Sequence, residues 1–261
     1  MKPQKAKKKS ILFGIIRKTI SLIYPKYELV GIEKLAGEPV VIVGNHSQLH
    51  GPITCELYFP ENSYTWCAGQ MMELKEVPAY AFKDFWSQKP AYTHWFFKIA
   101  SYLIAPFSVV IFNNARTIAV HRDARIISTF RNSIEKLKSG NHVVIFPEHD
   151  VKHNNIVYDF QDRFIDVARF YYKQTGKALT FVPMYIAPKL KKMIFGKPIT
   201  FSPEAPIDEE RQRICKYLMA EITDIARAQP KHTVVPYRNI PKKQYPVNIP
   251  EEVADDAQTR G

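Results

Sequence analysis

Cysteine is scarce in this chain. There are three in 261 residues, at Cys55, Cys67 and Cys215, an odd count with no metal-type spacing. A disulfide framework is therefore not expected, and a reducing compartment is. Glycine is also sparse, at ten residues, and together with near-average apolar and charged fractions this excludes collagen, coiled coil and intrinsic disorder as whole-chain readings. No run of about 20 uninterrupted apolar residues occurs, so a clear membrane-spanning helix is not expected. No signal peptide is evident: the apolar run at 11–24 is short, is broken by Arg17 and Lys18, and lacks a small-residue cleavage site. The chain has no G-x-S-x-G elbow and no H-E-x-x-H helix, which argues against a serine hydrolase and a zincin.

Acidic residues are absent from the first 27 positions, which hold eight Lys or Arg. Of the formal net charge of +12, this end supplies +8, residues 250–261 supply −3 and the body between them +7. An anionic partner for the N-terminal end follows. Residues 1–9 read as a solvated basic tail, and Ser10 as the cap of a helix that Pro25 closes. Its apolar residues cover a broad face with Arg17 and Lys18 on the other side. A basic tail followed by such a helix fits an interfacial anchor on an anionic membrane surface. Nucleic acid is not expected as a partner, because the excess is largely a tail and no helix-turn-helix, RNA-recognition or zinc-finger pattern is present.

From Tyr27 the pattern alternates between strands and helices. Strands are predicted at 28–31, 39–44, 63–68, 117–120, 142–146, 179–185 and 198–201. Helices are predicted at 52–58, 78–88, 124–138, 163–174 and 208–228. The runs PVVIVG and HVVIF are continuously apolar, as in strands buried on both faces. Residues 91–112 are the most apolar segment and contain Pro106. They read as a kinked helix that is either core or a second membrane-dipping element. The fold class expected is α/β, a mixed or mostly parallel central sheet flanked by helices. The organisation expected is a tail and anchoring helix at 1–26, an α/β domain at 27–229 and a Pro-rich extended tail at 230–261.

Three polar clusters fall at predicted strand ends, where sites lie in such folds. They are Gly44-Asn45-His46-Ser47-Gln48-Leu49-His50-Gly51-Pro52, Val120-His121-Arg122-Asp123, and Phe146-Pro147-Glu148-His149-Asp150. Histidine can act as a general base near neutral pH, arginine presents a permanent fork for phosphate, and a glutamate beside proline can accept hydroxyl hydrogen bonds. The pairs His46/His50 and His149/His153 are four apart, but they lie in predicted turns, and no metal site is expected.

In order and spacing these clusters, followed by Val182-Pro183, resemble the glycerolipid acyltransferase family, which includes 1-acylglycerol-3-phosphate and glycerol-3-phosphate acyltransferases. Asn45-His46 matches the start of its N-H-x4-D motif, Arg122 its strand-ending arginine, and Phe146-Pro147-Glu148 its F-P-E-G. Glu73-Leu74 with Pro78 look like the stretch that follows the first motif. The resemblance covers roughly 40–201. It implies a membrane-associated transfer of a fatty acyl group to a hydroxyl of a glycerol-phosphate-type acceptor, in phospholipid biosynthesis or remodelling. No resident cofactor is implied, and the co-substrate would be acyl-CoA, acyl carrier protein or an acyl phosphate. The location implied is the cytoplasmic face of a membrane, peripheral or monotopic. His46 would be the general base, and Asn45, Arg122, Pro147 and Glu148 would bind substrate. The chain departs from the family in four places. Gly51 stands where the motif has Asp, His149 where it has Gly, His121 where an Asp is common, and Met71-Met72 where a Lys often precedes Glu-Leu. Another group, Glu56, Asp150, His50 or a backbone carbonyl, would then orient His46. Alternatively, the chain is a catalytically lapsed relative that binds lipid or lysophospholipid without turnover.

Overall fold

The computed structural model describes residues 10–121 and 123–249. The basic tail at 1–9, Arg122 and the acidic end at 250–261 lie outside the described residues. The described residues form two compact units. One combines residues 10–25 with Tyr64–Asn132, and the other combines Lys26–Ser63 with residues 133–249.

The larger unit is built on β2 (Val40–Gly44) and β5 (His142–Ile145), the two continuous apolar runs, which are buried throughout. They pair in parallel, and β8 (Thr180–Ala187) lies parallel to β2 on its other side. Next to β8 come β10 (Ile199–Thr200) and β9 (Lys192–Phe195), both antiparallel to it, and β1 (Glu28–Val30) runs parallel to β9. Pro183 sits inside β8, where a missing N–H would ordinarily break a ladder. Here it falls between the β10 partners, Thr180 and Phe181, and the β9 partners, which begin at Met184, so no partner on that edge needs its N–H. Helix α2 (His50–Tyr58), α6 (Asp166–Thr175) and α7 (Ile207–Arg227) complete the unit. Helix α7 buries Ile214, Leu218, Ile222 and Ala226, a stripe at helical spacing. It comes so close to the sheet that a Cβ at Gly196 would lie 2.7 Å from Ile225 Cδ1.

A short antiparallel hairpin, β6 (Glu148–Lys152) and β7 (Tyr158–Phe160), follows β5. Residues 230–249 are not a free tail. They contain one short 3-10 turn, yet His232, Val234, Val235 and Asn248 are buried. Asn248 ties the segment down. Its Oδ1 accepts from the His232 N–H at 2.9 Å, and its amide donates to the carbonyls of Ala226 and Gln229 at 2.8 and 3.1 Å.

The smaller unit pairs β3 (Ser63–Ala68) and β4 (Thr117–Val120) in parallel. It carries α1 (Ile11–Ile23), α3 (Val77–Ala81), α4 (His94–Asn114) and the start of α5 (Ile126–Lys138). Ser10 precedes α1 without a side-chain cap, and its backbone N–H instead donates to Asn114 Oδ1 on α4 at 2.9 Å. Helix α4 packs Ala105 with Met71, Val77 and Ala81 into a small core. Most of its apolar surface faces outward: Trp95 is 66% and Leu103 67% exposed, and Phe96, Ile99, Tyr102 and Phe107 are exposed too. Helix α1 exposes Ile11, Ile15, Leu22 and Ile23 and buries only Phe13. Segment Ala91–Asn114 is long and apolar enough to cross a membrane by length and composition, and little of it is buried.

Candidate active site

The first and third clusters meet in the larger unit because β2 and β5 are parallel neighbours. Their carboxyl ends, Gly44 and Ile145, therefore emerge side by side. Asn45 continues the β2 edge with its side chain, as Oδ1 accepts from the Ile186 N–H at 2.7 Å and Nδ2 donates to the Ile186 carbonyl at 3.1 Å. Nδ2 also donates to Ser47 Oγ at 2.8 Å. Every polar atom of that amide is thus engaged in holding the turn against β8. Beyond it, Ser47 and Gln48 both take left-handed backbone conformations, with φ of 48° and 55°. Two consecutive non-glycine residues in that region cost of order 1 kcal/mol each. The surrounding bonds over-determine the turn and keep it in place.

Glu148 is 3% exposed. Its Oε2 accepts from the backbone N–H of His46 at 2.5 Å and its Oε1 from that of Tyr158 at 2.8 Å. It ties the histidine turn to the β7 strand. Burial nevertheless pushes its carboxyl up to about 7, against the pull of those two N–H groups.

The His46 ring sits between two aromatic walls. Phe146 meets it edge-on at 5.2 Å between centroids, and Tyr237 does so at 5.8 Å with an interplanar angle of 86°. Its Nδ1 is buried and has no hydrogen-bond partner among the described residues. Burial lowers the ring pKa to about 4, and the Gln48 backbone opposes this only in part. The imidazole is neutral at pH 7.

The three residues considered as orienting groups do not reach Nδ1. Asp150 is exposed and lies 3.9 Å from Arg238 Nε. Glu56 faces partly outward from α2. His50 begins α2 and is held below its ordinary pKa by burial, then by Lys189 and Lys242. Pro147 accepts the Gln161 N–H through its carbonyl at 2.9 Å, which closes the hairpin. At position 51 there is no room for a side chain: a Cβ would lie 2.5 Å from the His46 carbonyl oxygen and 3.0 Å from Phe146.

In the smaller unit, His121 is buried against Gly69, where a Cβ would fall 2.4 Å from the ring. Arg125 is gripped by Asp123 at 2.9 Å and Glu73 at 3.0 Å, and that guanidinium holds the Asp123 carboxyl down at about 2. Glu73 is thereby spent on an exposed ion pair. Among the described residues no cluster of three or more His, Cys, Asp or Glu could hold a metal ion.

The residue that sequence reasoning missed is Tyr237. It lies in a proline-rich stretch 191 positions from His46, and no local pattern marks it.

No protein family and no curated protein matches the chain by sequence. Among solved structures, the chain is similar to the 1-acyl-sn-glycerophosphate (LPA) acyltransferase PlsC from Thermotoga maritima, with a TM-score of 0.51 and 13% identity over 85% of this chain and 82% of that one. At that identity the likeness is one of fold: the chain has the α/β architecture of that acyltransferase.

Proposed function

We propose that this chain is an O-acyltransferase that moves a fatty acyl group from a thioester to a hydroxyl of a glycerol-phosphate-type acceptor. The observation that carries the reading is the Glu148–His46 hydrogen bond. It joins the N-H and F-P-E segments at one strand end, in a fold similar to that of a glycerophosphate acyltransferase. With Nδ1 buried, Nε2 is the nitrogen offered to the acceptor. It takes the hydroxyl proton as the oxygen bonds to the thioester carbonyl. The tetrahedral centre then collapses, the C–S bond breaks and the thiolate leaves, recovering the proton from the imidazolium. Arg122 is proposed to bind the acceptor phosphate. Glu148, with a backbone N–H on each oxygen, supports the reaction by holding the turn.

The acyl chain would arrive from a membrane. The exposed apolar faces of α1 and α4 suit insertion into an interface, and the basic N-terminal stretch suits an anionic leaflet.

A second reading is a lapsed acyltransferase that binds lipid without turnover. It is favoured by the filled space at Gly51 and the unpartnered Nδ1, because no carboxylate stabilises the imidazolium. The deciding experiment is a matrix of acyl donors and glycerol-phosphate acceptors on membrane-reconstituted protein, with His46→Ala as control. Transfer that disappears in His46→Ala supports the enzyme. Lipid binding without transfer by wild type supports the lapsed relative.

A further inference from the structure

Residues 232–248 form a closed loop. Its base is pinned by the His232 N–H to Asn248 Oδ1 bond and by the return bond from the Asn248 N–H to the His232 carbonyl at 3.2 Å. An isolated bridge between Thr233 and Val247 and the Val234 N–H to Pro246 carbonyl bond at 2.8 Å complete the neck. His232 is further fixed by donating Nδ1–H to the Pro230 carbonyl and accepting the Tyr185 hydroxyl proton on Nε2, at 2.7 and 2.8 Å. A compact surface loop with touching ends is an Ω-loop, and such loops are frequently functional.

The far side of the loop reaches the strained turn. Gln48 Nε2 donates to the Arg238 carbonyl at 3.1 Å and to the Tyr245 hydroxyl at 2.9 Å. These bonds set Tyr237, next to Arg238, edge-on against His46. Tyr237 in turn packs on Tyr158 at 5.8 Å, and the Tyr158 backbone is held by Glu148. The loop, the turn and the hairpin thus close around one imidazole. We infer that the C-terminal loop completes this site, with Tyr237 as the positioning residue that holds the His46 ring between itself and Phe146 in place of a carboxylate at position 51. Shape takes over from charge: a ring clamped between two aromatic edges, and hydrogen-bonded to the Gln48 backbone, keeps its orientation without a carboxylate, at the cost of losing the partner that would stabilise its charged form. The depressed pKa of His46 agrees with such a dry clamp.

The inference rests on the reading of His46 as the base, but its test does not need turnover. The charged and titratable groups around the ring are Glu148, which meets His46 through the backbone, Tyr158 beyond Tyr237, and Arg238 paired with Asp150. The experiment is an NMR titration of the His46 imidazole in full-length wild type, Tyr237→Ala and Tyr237→Phe. Opening the clamp admits water, so Tyr237→Ala is expected to move the His46 midpoint up by about one unit or more toward its ordinary value. Tyr237→Phe keeps the ring edge and is expected to restore the wild-type midpoint. In wild type, nuclear Overhauser contacts should connect the His46 and Tyr237 rings, a measurement that needs no variant. An unchanged midpoint in folded Tyr237→Ala, or the absence of those contacts, overturns the inference. Inert wild type with the expected titration defeats only the catalytic reading and leaves the clamp standing.

Discussion

At position 51 the obvious repair is the wrong one. Introducing the family's aspartate would drive a Cβ to 2.5 Å from the His46 carbonyl oxygen, a backbone atom that cannot swing aside. Overpacking of this kind costs about 1–3 kcal/mol. Gly51→Asp is therefore expected to lower the denaturation midpoint and to gain no transfer activity. Activity gained at unchanged stability would refute this. A second expectation concerns Glu148 and His46, whose shifts oppose each other. Glu148 titrates at about 7 when folded, above its ordinary 4.5. Its stabilising contribution is complete below pH 4.5 and is lost as pH rises to 7. His46 titrates at about 4, below its ordinary 6.5. Its contribution is complete above pH 6.5 and is lost as pH falls to 4. Between pH 4.5 and 6.5 the two slopes, each about 1.4 kcal/mol per pH unit at most, cancel in wild type. Denaturation of Glu148→Gln across that window should show stability rising with pH, since only the His46 term remains. A slope as flat as that of wild type would contradict this pairing. The sequence singled out both residues, since Asn45-His46 and Phe146-Pro147-Glu148, in that order and spacing, resemble two motifs of the acyltransferase family. It could not show that Glu148 binds backbone, because that depends on where β7 passes.

Among the elements, β2 and β5 were legible because strands buried on both faces must be apolar at every position. The β6–β7 hairpin was not legible. Four of the five residues of β6 are not buried, and β7 has three residues, so neither has a period to read. Strand β9 was hidden for a different reason. The turn from β8 runs through Pro188-Lys189-Leu190-Lys191, and its left-handed position is taken by Lys191 at φ 54°, where a turn signal would have glycine or asparagine. Helix α4 was legible as a helix, but its surroundings were not: the same apolar residues serve a core or a bilayer. The exposed row containing Trp95, Ile99, Tyr102 and Leu103 gives this element its prediction. Trp95→Ser with Leu103→Ser should weaken co-sedimentation with anionic liposomes at least several-fold at high salt, where the basic stretch is screened and apolar insertion dominates. Binding unchanged at high salt would remove α4 from the membrane contact.

For the whole molecule, the decisive piece is the segment after Pro230. Asn248 is 1% exposed and closes the loop with bonds to residues 16 to 22 positions away. Asn248→Ala leaves one buried N–H and two carbonyls to find new partners, at about 2–4 kcal/mol in all. It should loosen the loop and move the His46 titration in the same direction as Tyr237→Ala. A denaturation midpoint equal to wild type would show that the loop adds nothing to the fold. Composition marked this segment as irregular, since proline denies it a ladder and glycine-poor sequence denies it tight turns. It could not mark it as packed, because five buried residues among many exposed ones have no period. The sequence by itself determined the α/β class, the central strands, the basic apolar N-terminal end and the two polar segments around His46 and Glu148, all of which follow from local runs and spacings. Only the tertiary structure decided what surrounds the imidazole. The filled space at Gly51 and the edge of Tyr237 are contacts across 95 and 191 positions of chain, set by how strands, turn and loop pack against one another, and packing between distant segments leaves no pattern along the chain.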